Sequence, residues 1–175
     1  MAAIAARAQV SVPLLYKTFG SKPDLVKRVY DVTLAGDDED RPIAVREDIA
    51  GLVADPDPRR KIARYARLSR GLAERAGALA VVLREAARGG QAELVPFVAT
   101  TDAERLTGAG RVAGHLADAG MLRAGLSVER ARDLIWIATA PETFALVVRD
   151  RGWSLDDYEQ WLAARLETDL LEPRR

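Results

Sequence analysis

Cysteine is absent from the 175 residues, and histidine occurs once, at His115. The first absence removes disulfides, iron–sulfur clusters, thiolate zinc sites and thiol nucleophiles. The second leaves nothing for a histidine metal cluster. No Gly-rich phosphate loop, HExxH or GxSxG motif is present, and no pair of acids stands on an apolar helical face as carboxylate catalysis requires. The chain therefore reads as a non-enzyme that calls for no cofactor and no metal. Net charge is also lacking: 26 basic and 26 acidic residues cancel. That excludes a wholly basic protein and leaves room for a local basic face. No apolar run approaches the roughly 20 residues needed to span a bilayer. The opening MAAIAARAQV has no basic segment followed by a long apolar core. A cytoplasmic protein with no membrane partner is the expectation. Alternating strand patterns bounded by turns are missing too, so the fold class expected is all-α.

What is present is helix-forming sequence, rich in Leu, Ala and Arg. Residues 1–8 read as a short helix. Ser11 caps a second over Val12–Phe19, with Pro13 in the first turn, where a missing N–H costs nothing. Gly20 ends it. Ser21 caps a third, with Asp24 in the capping-box position and Leu25, Val29 and Val32 as its apolar face. Four acids between Gly36 and Pro42 mark a domain boundary. The expected division is a module over 1–35 and a larger bundle over 43–172. Helices are expected at about 44–53, at 59–88 with a kink or break near Gly71 and Gly77, and at 92–119. Two more are expected from Ser127 to about Asp150, kinked at Pro141, and from Ser154 to about Leu171.

Charge is distributed unevenly. Residues 1–35 carry five basic and two acidic residues, a formal +3, whereas residues 36–60 sum to −4. Ile4, Ala8, Val10, Leu15 and Phe19 are spaced for two short helices crossing over a shared apolar centre. That arrangement presents Ser11, Val12, Tyr16 and Lys17 outward, on a helix of the size that fits a DNA major groove. Ser21, Lys22 and the N–H groups opening the third helix make a second phosphate clamp. The alternative reading is that Ser11 and Ser21 are plain caps and that Tyr16 and Phe19 simply pack.

The stretch IAARAQVSVPLLYKTFGSKPDLVKRVYD resembles the recognition half of TetR-family repressors. The matching positions are Ile4, Ala5, Ala8, Val10, Ser11, Leu15, Tyr16, Phe19, Ser21, Lys22 and Leu25. The resemblance implies a helix-turn-helix module whose recognition helix spans residues 11–17. Tyr16 and Lys17 would lie on the DNA backbone, Val12 and Pro13 near thymine methyls or sugars, and Lys22 on a phosphate. It also implies a homodimer on a palindromic double-stranded operator, usually repressing until a small-molecule effector binds. Three departures stand out. Gln9 replaces the usual Gly of the turn, Leu14 replaces a Thr, and a helix with a basic arm normally precedes the position of Met1. Without that helix, Ile4, Leu15, Phe19 and Val29 are expected to lose apolar cover.

For the larger bundle, Leu134, Ile135, Ala138, Thr139, Tyr158, Trp161, Leu162 and Leu166 are the candidate dimer interface, because the last two segments hold more large apolar residues than a small bundle hides. The competing reading places them in a monomer core. A ligand pocket is expected between the helices of 59–119. Tyr65, Leu68, Leu72, Leu83, Phe97, Leu106, Leu116 and Phe144 are candidate walls, and Arg84, Arg111 and His115 supply polarity. A lone histidine such as His115 is more often a surface or packing residue than a sensor or ligand. The functional expectation is a ligand-responsive DNA-binding transcriptional regulator. The alternative is a helical dimer deficient in DNA binding that acts as an interaction or dominant-negative partner.

Overall fold

Small polar residues set where the helices begin. In the computed structural model, which describes residues 1–36 and 47–173 (side chains in 1–36 and 51–173), Ser11, Ser21, Asp57, Ser127 and Ser154 each cap a helix with their side chains. The elements are α1 (Ala2–Ala8), α2 (Val12–Phe19), α3 (Lys22–Ala35), α4 (Glu47–Ala54), α5 (Pro58–Arg88), α6 (Val95–Asp118), α7 (Val128–Ala138), α8 (Pro141–Phe144) and α9 (Leu155–Leu170). A 3-10 turn at Ala92–Leu94 leads into α6, and a π-helical stretch, Ala145–Asp150, extends α8. The described residues form an all-α protein, with N-terminal helices followed by a larger helical bundle. Both capping boxes, Ser21–Asp24 and Ser154–Asp157, are formed. The acidic boundary segment after Gly36 lies outside the described residues, as does the start of the helix expected at 44–53.

Two helical expectations need correction. The glycines do not break α5, which runs unbroken for 31 residues. A Cβ at Gly77 would sit 3.2 Å from the Phe144 ring, so this glycine admits an aromatic side chain against the helix without breaking it. The helix expected from Ser127 to Asp150 is not merely kinked. It stops at Ala138 and restarts at Pro141, because proline has no N–H to donate back and suits the first turn of a new helix.

The long α5 is the spine, about 46 Å at 1.5 Å per residue. It packs against α3, α4, α6, α8 and α9, and α7 closes the far side against α6 and α9. Tyr158, Leu162, Leu166 and Leu170 repeat every four residues along α9 and are wholly buried. They meet Ile62 and Ala66 of α5, Ala109, Ala113 and Leu116 of α6, and Ala131 and Ile135 of α7. Alanines at the contact positions let the helices approach closely. Burying each large side chain contributes roughly 1.5–3 kcal/mol. Burial also pushes the Tyr158 phenol up to about 12. Ion pairs of Arg59 with Glu167 and of Arg70 with Asp156 and Glu159 stitch α5 to α9 outside this core.

The three-helix module has a far smaller centre of Ala5, Leu15 and Leu25. Of the residues expected there, Leu15 is buried and Phe19 half-buried, while Ile4, Ala8 and Val10 are exposed. Val29 is exposed as well. Alanine at position 5, not isoleucine at position 4, fills the crossing point. The turn between α1 and α2 closes with Gln9 and Val10 N–H groups donating to Ala6 and Ala5 carbonyls, a Schellman arrangement. Gln9 sits at φ 55°, ψ 37° and is the sole described non-glycine residue with positive φ. For an L-residue that conformation costs roughly 1–2 kcal/mol. Gln9→Gly relieves it, less roughly 0.4–1 kcal/mol for the freer unfolded chain. We expect slower amide exchange across α1 and α2 in Gln9→Gly and faster exchange in Gln9→Val, whose branched Cβ tolerates this region worst.

Candidate functional site

Only one residue of α2, Leu15, is buried. Ser11, Pro13, Leu14, Tyr16, Lys17 and Thr18 are exposed and Val12 is half-exposed, so the helix stands out from the body along most of its surface. Tyr16 is 52% and Leu14 47% exposed. Leu14 was not among the residues expected on this face; its occupation of a polar position of the resembling pattern was the available signal. Ser11 Oγ accepts the Leu14 N–H at 3.2 Å. Ser21 donates its hydroxyl to Asp24 at 2.6 Å and accepts the Asp24 N–H at 3.3 Å. The Ser21 hydroxyl and N–H together hold the Asp24 carboxyl below its ordinary range. Both serines are thus helix caps. Lys22 lies at the start of α3 and is exposed, with its ammonium 2.7 Å from Glu93 in the 3-10 turn. An exposed pair of this kind contributes about 0–1 kcal/mol, so Lys22 exchanges partners at little cost.

The opposite side of α3 is a wall of a cavity of about 1070 Å³, completed by α5 and α6 with Leu52 and Val53 of α4. Of the residues expected to line a pocket, Tyr65, Leu68, Leu72, Arg111 and His115 do so. Leu83, Arg84, Phe97 and Phe144 lie outside its walls. Leu83 and Phe97 pack with Tyr30 in a second buried cluster. Phe144 is held edge-on against Tyr158 at 5.1 Å in the main core. Arg84 is consumed by carboxylates, and Leu116 is wholly buried in the main core. Helical periodicity finds the inward face of a helix but cannot separate a packed neighbour from an empty space.

The α3 wall itself, including Lys27, Tyr30, Asp31 and Leu34, was missed. The apolar face expected of this helix is Leu25, Val29 and Val32, and of these only Val32 lines the cavity. Lys27 binds Asp31 at 2.6 Å and Glu104 of α6 at 3.1 Å. Burial pulls the Lys27 pKa down, but the two carboxylates outweigh it and the net shift is upward. Deeper in the cavity, burial raises the Tyr65 phenol while the Ser69 and Thr139 hydroxyls pull it back. All three residues line the space.

A charged cluster ties α5 to α6 beside the cavity. Arg84 donates to both Asp102 oxygens at 2.7 Å. Its Nε lies 2.9 Å from Glu142 Oε1 without the alignment of a hydrogen bond, so that contact is electrostatic. Arg105 reaches Asp102 at 3.3 Å, donates to the Trp136 carbonyl at 2.8 Å, and stacks over the Trp136 ring. Burial lowers the Arg105 pKa, and hydrogen bonds from Arg84 hold Asp102 below its ordinary value.

The eight residues expected at a dimer interface divide sharply. Ile135, Ala138, Tyr158, Leu162 and Leu166 are buried within the chain itself, because the main core uses the same stripes of α7 and α9. Leu134, Thr139 and Trp161 are half-buried. Large apolar side chains exposed on and between these elements include Val128 and Ile137 (59% exposed) of α7, Leu146 (57%) of the π-helical stretch and Trp153, the last stacked edge-on against Trp161.

Residues 1–29 match the family model described as "Bacterial regulatory proteins, tetR family". No curated protein and no solved structure matches the chain. Among the described residues no helix is long and apolar enough to cross a membrane.

The Asp102 pair makes a pH-dependent prediction. Its folded pKa is depressed below 3.8. The stabilisation is therefore complete above the unfolded carboxyl's pKa and lost as pH falls through the lower folded value. We expect Asp102→Asn to cost about 2–3 kcal/mol near neutral pH, and the gap to the parent protein to narrow once the parent's carboxyl is itself protonated. Urea unfolding across that range measures it; a gap independent of pH contradicts the assignment.

Proposed function

We propose that this protein is a TetR-like, ligand-responsive DNA-binding transcriptional regulator that works as a homodimer, with repression as its unliganded action. One observation carries the reading: α2 stands exposed within the stretch that matches the family model, with Tyr16 and Lys17 on its outer surface and Lys22 at the start of the next helix. A helix presented this way enters the major groove. Lys17 and Lys22 neutralise phosphates, Tyr16 packs on the sugar–phosphate backbone, and Val12 and Pro13 approach thymine methyls or sugars. Ser11 and Ser21 contribute by fixing the N-terminal ends of α2 and α3.

The dimer reading is supported by the exposed apolar side chains Ile137, Leu146 and Trp153, carried by α7, the π-helical stretch and the approach to α9. Leu134 and Trp161 form its half-buried margin, while Thr139 lines the cavity. Twofold pairing through this face would carry two copies of α2, and a spacing of roughly 34–36 Å would match successive major grooves. The cavity behind α3 supplies the effector site. A ligand favouring another position of α3 relative to α6 would reorient α2, and DNA would weaken ligand binding by the same factor.

Fluorescence anisotropy with duplex DNA over a salt series tests the reading. Binding should weaken steeply with salt. Lys17→Ala and Lys22→Ala should each reduce the log–log slope by about 1. The pair Ile137→Glu and Leu146→Glu should yield monomers in sedimentation and much weaker DNA binding. A stable dimer with no salt-dependent DNA binding would instead favour a DNA-free helical interaction protein.

A further inference from the structure

The charges around the cavity do not balance locally. Its carboxylates are Asp31 and Glu104, and both are paired with Lys27. Arg105 is paired with Asp102 and anchored to the Trp136 carbonyl. Two lining guanidiniums, Arg28 of α3 and Arg111 of α6, have no ion pair or hydrogen-bond partner among the described residues. The charge unsatisfied at this cavity is cationic.

Arg111 also has room beside it. Gly108, exposed one helical turn earlier on the same face of α6, lines the cavity at its open side, and a Cβ built there meets nothing within 4 Å. His115 lies one turn later and lines the cavity too. Leu68, Leu72, Ala76 and Val112 give the space an apolar interior. Arg111 is exposed, so an anionic group can reach it while remaining partly hydrated, which avoids most of the cost of burying a charge. The volume lies just above the usual range for drug-sized ligands.

We infer that this cavity takes an amphipathic monoanion, a carboxylate on an apolar body, with the carboxylate held by the Arg111 guanidinium in the gap beside Gly108 and the apolar body lying along α5. The inference rests on reading the cavity as the effector site and adds the chemical class of the effector. The Lys27–Asp31–Glu104 cluster carries a net negative charge on the same wall and works against a more highly charged anion. A guanidinium fork matches a carboxylate in two parallel hydrogen bonds, which a neutral head group of the same chain length cannot reproduce.

Calorimetric titration of the full chain with dodecanoate, dodecan-1-ol and dodecylammonium, all below their aggregation concentrations, tests this. Dodecanoate should bind about tenfold or more tightly than the alcohol, as expected when a charge-assisted bond is added. Arg111→Gln should erase that preference while leaving alcohol binding unchanged. Gly108→Leu should weaken both, with thermal unfolding showing the variant folded. Equal or tighter binding of the alcohol or the amine, absence of any binding, or a carboxylate preference that survives Arg111→Gln would overturn the inference. Duplex DNA in parallel samples separates the two readings. If dodecanoate binds with the Arg111-dependent preference yet leaves DNA binding untouched, the ligand class stands and the regulatory reading of the cavity fails.

Discussion

The seating of Tyr30 of α3 on Ala76 and Ala80 of α5 and edge-on against Phe97 of α6, 5.3 Å between ring centroids, is the constraint that places the N-terminal helices. It joins the small N-terminal module to the large bundle. Two ion pairs flank it, Lys22 with Glu93 and Lys27 with Glu104, and Arg75 donates to the Leu34 carbonyl near the end of α3. Their weights differ. Exposed pairs contribute at most about 1 kcal/mol each. An aromatic side chain buries roughly 150–250 Å², worth several times that at about 25 cal/mol per Å². The ion pairs orient α3, and the aromatic seam holds it.

This matters because the module has little else. Ala5, Leu15 and Leu25 are a thin centre for three helices, and Ile4 and Val29 remain exposed. The helix α3 therefore does two jobs at once. Leu25 completes the module's own core, while Tyr30, Asp31 and Leu34 form a wall of the cavity. One helix thus borders both the cavity and α2. The Asp102–Arg84–Arg105 cluster ties α5 to α6 on the other side of the cavity.

Much of the helical plan was legible in the sequence because it rests on local chemistry. Ser21 with Asp24 and Ser154 with Asp157 are capping boxes whose partners are three residues apart. Pro13 and Pro58 mark first turns for equally local reasons, and the exposure of Tyr16 and Lys17 follows from the periodicity of one short helix. What failed was long-range. Gly77 looked like a helix breaker because nothing in the sequence places Phe144 against it. Tyr158, Leu162 and Leu166 looked like an interface because an apolar stripe does not announce whether its partner is the same chain or another. The cavity was expected between α5 and α6, and Tyr65, Leu68 and Leu72 lie there, but the contribution of α3 depends on a contact between residues 30 and 97, too far apart in sequence for any periodicity to reveal.

Amide hydrogen exchange on Phe97→Leu is the most direct test of the joint. The substitution keeps an apolar side chain at the seam and removes the ring that Tyr30 meets. The account predicts loss of protection across α3 and α2, tens of residues away in sequence, with α7 and α9 unchanged. Loss confined to α6 and its neighbours in the bundle, with α2 and α3 protected as before, would show that the module stands on its own core and that the two halves are not mechanically joined.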